Sequence, residues 1–138
     1  MTNPVKAFNE KIIEEFRANA GVVGGQFEGA AMLLLSTTGA KSGQTRINPL
    51  VYLADAQDWV IIASFAGADK HPPWYHNLIA NPDVQVEVGP DTFKARASVV
   101  EEPERSQLYA QMEQQMSAFT DYREKTQRVI PVVRLTRA

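Results

Sequence analysis

The sequence predicts an α+β domain that is mainly β, in which antiparallel strands form a small barrel or roll with helices packed outside. Three observations indicate this class. About six short segments are rich in β-branched and aromatic residues, helical spacing occurs in only two or three places, and the GxGxxG pattern of a dinucleotide-binding parallel sheet is missing. The 138 residues suit a single domain, 1–138.

The helices are predicted from apolar spacing and from the positions of proline. The first is predicted over 4–19, where Asn3 is a suitable N-cap, Pro4 takes the first helical position, and one face is apolar. A short helix is predicted near 72–80, since prolines begin it and another proline follows it. A longer helix is predicted near 103–118.

The strands are predicted from apolar runs and from alternation. The clearest is DVQVEV, in which valines alternate with polar residues as in a half-buried strand. Pro49 lies inside another segment, so we expect an edge, a bulge or a bend there, because proline cannot donate a ladder hydrogen bond. The glycine-rich segment 21–30 is predicted to be irregular. The six predicted strands are 31–37, 46–54, 58–65, 83–88, 92–101 and 128–137.

Composition excludes some partners. With 14 basic and 16 acidic residues, the net charge of −2 provides no overall field for nucleic acid, so we expect no nucleic-acid partner and only local binding of anions. The absence of cysteine fits a reducing compartment, and we expect a cytoplasmic location. No run reaches the roughly 20 apolar residues of a membrane span. For the first helix, packing on the core is preferred over peripheral membrane contact, which stays the alternative.

Several common catalytic motifs are missing from the sequence. His71 and His76 are five residues apart with no cysteine nearby, so no metal site is predicted. No serine lies in a GxSxG motif, and GAKSG lacks the Walker spacing. We therefore expect a site built from strand ends and loops.

Residues 36–46, STTGAKSGQTR, contain two glycines around a lysine and an arginine after them. Backbone N–H groups of such a turn can form an anion-binding concavity, to which Lys41 and Arg46 would add charged donors. The alternative is a plain polar hairpin with solvated cations.

A second cluster lies at 63–82, ASFAGADKHPPWYHNLIANP, where a strand end, a glycine-containing loop, two basic or titratable side chains and the pair Trp74 and Tyr75 occur within a short stretch. Aromatic surface beside a helix N-terminus suits a large flat ring. The alternative is that both aromatic residues are core residues. Together with the first loop, the cluster indicates a flat cofactor that carries a phosphate tail.

Two motifs, LLLSTTGAKSGQTRINPLVYL and KHPPWYHNLIANPDVQVEVG, carry a family resemblance. From about residue 31 to the C-terminus, the sequence resembles the deazaflavin-dependent nitroreductases. The resemblance implies a split β-barrel that binds coenzyme F-420, an 8-hydroxy-5-deazaflavin with a phosphodiester-linked polyglutamate tail. It also implies that the protein is an oxidoreductase, and a homo-oligomer is compatible with it.

Site residues follow from the resemblance by position. It implies that Lys41, Ser42 and Arg46 hold the phosphate region. It implies a second set along the cofactor and its ring, which is Asn48, Pro49, Ser64, Phe65, Ala66, Gly67, Trp74, Tyr75 and Asn77. Two departures are notable: many family members have a lysine at the position of Phe65, and the segment QQMSAFTDYREK keeps one tyrosine, Tyr122, where relatives have several. Reduction of nitro compounds therefore does not follow from the resemblance.

The implied reaction is hydride transfer from C5 of the reduced deazaflavin to a small electron-poor acceptor such as a quinone, an enone or a nitroaromatic. The protein then supplies position, water exclusion and a proton. Tyr122, or a water held by Ser64, is the candidate proton donor. Two alternatives remain: a non-catalytic protein that binds or sequesters F-420, and a split-barrel protein that binds FMN.

Overall fold

The computed structural model describes residues 4–24 and 31–138, so the predicted N-cap Asn3 and residues 25–30 of the predicted glycine-rich loop lie outside the described residues. The helices are α1 (Pro4–Ala18), α2 (Pro73–Ala80), α3 (Glu104–Gln115) and α4 (Ala118–Lys125). The strands are β1 (Met32–Thr38), β2 (Thr45–Val51), β3 (Leu53–Asp55), β4 (Asp58–Ile62), β5 (Asp83–Val88), β6 (Asp91–Val99) and β7 (Val132–Arg137).

The seven strands form one antiparallel sheet in the order β2-β1-β5-β6-β7-β4-β3. Its two edge strands, β2 and β3, are separated in the chain by Tyr52 alone. The sheet must therefore curl until its edges approach each other, which produces a half-barrel. This confirms the predicted α+β class with antiparallel strands.

One predicted strand is divided in the structure. Residues 46–54 are predicted to form one strand, but β2 ends at Val51, and β3, which begins at Leu53, pairs with β4 instead of β1. Tyr52 lies between them and still donates its N–H to the Ala31 carbonyl beside β1 at 2.9 Å. The sheet consequently has seven strands rather than about six. Pro49 lies on the edge strand β2, opposite Leu34 of β1, in agreement with the predicted edge position.

The predicted helix near 103–118 is also divided. Helix α3 ends at Gln115, because Met116 adopts an extended conformation with φ −147° and ψ 106°. Helix α4 then folds back on α3, and the Tyr109 hydroxyl donates to the carbonyl of Phe119 at 2.7 Å. Helix α4 was not predicted from the sequence, and it packs against the loop that follows β4.

The helices pack on the sheet through a few large apolar side chains. Trp74 and Leu78 of α2 belong to the barrel core, and Phe16 of α1 lies in a buried cluster with Met32 and Leu34. Helix α1 thus packs on the sheet, as predicted. Within the two described ranges, none of the helices has the length and apolar character needed to cross a membrane.

Candidate functional site

A cleft of about 1240 Å³ lies between α1, the hairpin loop that joins β1 to β2, and α2. It brings together the hairpin motif around Lys41 and the aromatic motif around Trp74, which are about 30 residues apart in the chain. Seven of the predicted site residues line it, and these are Lys41, Ser42, Arg46, Asn48, Phe65, Trp74 and Asn77.

The hairpin loop is closed by its own backbone. The Gly39 N–H donates to the Gln44 carbonyl at 2.8 Å, and the Gly43 N–H donates to the Gly39 carbonyl at 3.0 Å. Gly43 has φ +70°, a conformation that favours glycine. The Ser42 hydroxyl accepts from the Gln44 N–H at 3.2 Å, so it also shapes the turn. The loop is therefore a hairpin and, at the same time, one wall of the cleft.

Asn77 connects α2 to this loop. Its side-chain Oδ1 accepts a hydrogen bond from the Ala40 N–H at 3.0 Å, and its Nδ2 donates to the Thr37 hydroxyl at 3.2 Å. The residue is buried, with 9% of its surface exposed. Both ends of the amide are thus engaged by protein atoms, and Asn77 holds the two walls of the cleft together.

The cleft is locally positive. Its lining contains three cationic side chains, Lys41, Arg46 and Lys70, and a single carboxylate, Glu10 of α1. Lys41 and Arg46 are exposed, and neither forms an ion pair with any residue in the described ranges. Lys70 lies 5.9 Å from the centre of the Phe65 ring. An anionic ligand would therefore meet Lys41 and Arg46 without competition from a carboxylate of the described residues.

Lys70, His71 and His76 also line the cleft, although none of them is among the predicted site residues. Basic and titratable side chains in KHPPWYH were a usable signal, since they form part of the second predicted cluster. Burial, the Arg128 guanidinium and His76, in that order, hold the pKa of His71 below its ordinary value. These surroundings therefore favour the neutral form of the His71 imidazole.

The loop after β4 has an unusual backbone. Phe65, Ala66 and Gly67 all have positive φ, at 49°, 53° and 82°. A Cβ atom at Gly67 would lie 3.0 Å from the Tyr122 carbonyl oxygen and 3.0 Å from the Lys125 Cβ atom. Position 67 therefore favours glycine for two reasons, which are its positive φ and the close approach of α4.

Six predicted site residues do not line the cleft, and these are Pro49, Ser64, Ala66, Gly67, Tyr75 and Tyr122. Ser64 is buried at the start of the loop with positive φ, and the Tyr75 ring lies 4.8 Å from that of His71. Tyr122 is half-buried on α4, with its ring 5.3 Å from that of Phe119. The roles assigned to them stay predictions.

Comparison with known proteins identifies relatives across almost the whole chain. The family model described as F420H(2)-dependent quinone reductase matches residues 10–137. An F420H(2)-dependent quinone reductase of Mycobacterium tuberculosis strain H37Rv is 42% identical over 126 residues, which cover 88% of this chain and 85% of that protein.

Solved structures show the same architecture. An F420-H2 dependent reductase superposes with a TM-score of 0.70 at 35% identity, covering 76% of this chain and 93% of that one. A structure described as a domain-swapped dimer has a TM-score of 0.72 at 30% identity, covering 96% and 99%. HutZ, a heme storage protein of Vibrio cholerae, shares the fold alone, with a TM-score of 0.61 at 19% identity over 94% of this chain and 90% of that one. The predicted split β-barrel is thereby confirmed.

Proposed function

Since the chain belongs to the family of F420H(2)-dependent quinone reductases, we propose that it catalyses hydride transfer from reduced coenzyme F-420 to a quinone. The observation that carries this proposal is the cleft, which combines the exposed ring of Phe65 with three cationic side chains. The acceptor is a small molecule that binds beside the cofactor. Enones and nitroaromatics are the other electron-poor acceptors to be tested.

The cleft suits a ligand with a flat ring and a long anionic tail. Its volume of about 1240 Å³ exceeds the range of roughly 300 to 1,000 Å³ that is typical of small-molecule pockets. Phe65, which is 42% exposed, provides apolar ring surface on its wall, whereas Trp74 is a core residue with 5% of its surface exposed and contributes only a small part of the lining. Lys41 and Arg46 provide cations for phosphate, where arginine can bind oxygens with a planar fork and lysine acts as a point charge. The residues present therefore fit F-420.

We assign the binding roles accordingly. Lys41, Ser42 and Arg46 hold the phosphate region, and Asn48 extends this surface along β2. Asn77 keeps the hairpin loop in place through the Ala40 N–H. When bound, the reduced deazaflavin supplies a hydride and resists one-electron chemistry. The work of the protein is to orient the two reactants, exclude water and deliver a proton.

Tyr122 is the side chain that we propose as proton donor. Its hydroxyl forms no hydrogen bond with any described residue, and its helix α4 packs against the loop that contributes Phe65 to the cleft, although Tyr122 itself does not line the cleft. The Tyr109 hydroxyl, by contrast, is engaged by the Phe119 carbonyl, and burial followed by the Glu113 charge raises its pKa to about 12. A water held by Ser64, which precedes Phe65 of the cleft wall, is the alternative donor.

Titration of the purified protein with F-420 and, separately, with FMN tests the proposal, with ligand fluorescence as the signal. We expect saturable binding of F-420 that weakens with added salt, and much weaker binding of FMN. Tighter binding of FMN would identify an FMN protein instead. Binding of F-420 without oxidation of its reduced form by any quinone would indicate a sequestering protein.

We also propose that the protein forms a homodimer and acts in the cytoplasm. The relative that forms a domain-swapped dimer matches 96% of this chain, and the absence of cysteine suits a reducing compartment. Burial of Phe16 against the sheet favours packing of α1 over membrane contact. Light scattering after size-exclusion chromatography should give about twice the chain mass of 15.3 kDa, and a monomer mass would contradict the dimer.

A further inference from the structure

Arg128, which follows α4 in the chain, uses all its hydrogen-bond donors on the loop after β4. A guanidinium has five N–H groups and no acceptor. The Arg128 Nε donates to the Ala68 carbonyl at 2.8 Å. Nη1 donates to the Ala63 carbonyl at 3.2 Å and to His71 Nδ1 at 3.1 Å. Nη2 donates to the Ala63 carbonyl at 3.2 Å and to the Ser64 carbonyl at 2.7 Å. Each N–H thus has one partner, and none of these partners is a carboxylate.

These contacts lie on both sides of residues 65–67, whose positive φ angles are unfavourable for residues other than glycine. Ala63, Ser64 and Ala68 lie on either side of the residues with positive φ, and their carbonyls converge on one guanidinium. Lysine could not reproduce this arrangement, because an ammonium has three donors around one atom and lacks the planar fork. The loop conformation therefore depends on arginine at this position.

The same guanidinium determines the protonation of His71. Because arginine can only donate, His71 Nδ1 must accept, and the proton of the neutral ring must then reside on Nε2. If His71 were protonated, its Nδ1 would also carry a hydrogen, and two donors would face each other without an acceptor. The lowered pKa of His71 agrees with this arrangement. His71 also lines the cleft, and its Nε2 makes no hydrogen bond to a described residue.

We propose that Arg128 is a positioning residue that fixes His71 as the neutral Nε2–H tautomer, and that His71 donates this hydrogen bond to an oxygen of the cofactor in the cleft. The first half concerns the protein alone. The second half rests on the proposed function, which supplies the identity of the ligand. His71 is then a binding residue with a defined donor and does not act as a base.

Nitrogen-15 NMR of the histidine side chains in the cofactor-free protein tests the first half. The long-range proton–nitrogen pattern distinguishes the two neutral tautomers and the imidazolium, and His71→Asn assigns the signals. We expect the Nε2–H tautomer at pH 7 in the wild type. In Arg128→Lys, we expect a mixture of tautomers. An Nδ1–H tautomer or an imidazolium in the wild type would overturn the proposal, even if the Arg128 variant does not fold.

Two substitutions of His71 test the second half through F-420 binding. Asparagine keeps an acceptor near the Nδ1 position but has no donor at Nε2, whereas glutamine places its amide N–H₂ near Nε2. We expect His71→Asn to bind F-420 about 3- to 10-fold more weakly, as loss of one hydrogen bond predicts, and His71→Gln to recover most of the loss.

The outcomes separate this inference from the proposed function. If the wild type binds F-420 and His71→Asn binds it equally well, His71 is not a donor to the cofactor, while the reductase proposal stands. If the wild type does not bind F-420, the reductase proposal fails together with the second half, and the NMR measurement still decides the tautomer.

Discussion

Asn77 of α2 accepts a hydrogen bond from the backbone N–H of Ala40 at 3.0 Å. A buried helix side chain thereby fixes the loop that carries Lys41, and the same amide reaches the Thr37 hydroxyl on β1. The geometry of the cationic wall thus depends on a residue that contributes no charge itself.

The Asn77→Ala substitution should weaken both folding and binding. It removes two hydrogen bonds, so we expect the free energy of unfolding to fall by about 1 to 3 kcal/mol, and F-420 affinity to fall because the loop is no longer anchored. Urea denaturation and fluorescence titration measure the two effects. Asn81→Ala is the matched control, since the Asn81 side chain makes no hydrogen bond to a described residue. Equal stability of the two variants would contradict the anchoring role.

Replacing Lys41 or Arg46 with alanine should affect binding with little effect on folding. Each loses a charge-assisted contact to phosphate, so we expect a cost of about 1.5 to 3 kcal/mol in F-420 affinity. Stability should barely change, because both side chains are exposed. Lys11→Ala, an exposed lysine on α1 that does not line the cleft, controls for the loss of charge. Wild-type affinity in the Lys41→Ala, Arg46→Ala double variant would mean that the loop is only a hairpin.

Alanine substitutions at Gly67, in the loop after β4, and at Gly43, in the hairpin loop, separate the cost of a positive φ from the cost of a clash with α4. Both have positive φ, but a Cβ at Gly43 meets nothing within 4 Å, whereas one at Gly67 meets α4 at 3.0 Å. Gly43→Ala should cost about 1 to 2 kcal/mol for the left-handed conformation alone. Gly67→Ala should cost about 1 to 3 kcal/mol more, because α4 must move. Urea denaturation of both variants checks this, and equal losses would show that α4 adapts freely.

Tyr122→Phe should lower turnover and leave cofactor binding intact. The ring stays and the free hydroxyl is lost, so we expect about 10- to 1,000-fold slower quinone reduction at saturating reduced cofactor. Tyr109→Phe is the control, because it removes the buried bond to the Phe119 carbonyl and should reduce stability by about 1 to 3 kcal/mol while turnover is kept. Unchanged turnover in Tyr122→Phe would leave proton delivery to water.

The lowered pKa of His71 predicts a pH dependence of stability. Because the pKa of His71 is lower in the folded than in the unfolded chain, the unfolded chain binds the proton first as the pH falls. The contribution of His71 is therefore fully present above about pH 6.5 and decreases as the pH falls toward its folded-state pKa. Urea denaturation between about pH 7 and 5 should show a shallower decline for His71→Asn than for the wild type. Parallel curves would contradict the shift.

The sequence by itself determined the class of fold and most of its elements. Strand β5 was predicted over its observed bounds, because valines that alternate with polar residues place all the valines on one face of a strand, which can then be buried. Helix α1 was predicted to within one residue from its proline and apolar spacing. The motifs around Lys41 and Trp74 were also visible, because unusual residue types close together in the chain are a local signal.

Only the tertiary structure decided how these parts meet. The break at Tyr52 depends on the curl of the whole sheet, and the turn before α4 depends on a contact between Tyr109 and Phe119. Arg128 and His71 are 57 residues apart, and no local pattern in either segment indicates that one will donate to the other. Hydrogen bonds between distant segments form only after long-range packing has placed their donors and acceptors within about 3 Å, which is why sequence patterns identified the cleft but did not reveal the contacts that shape it.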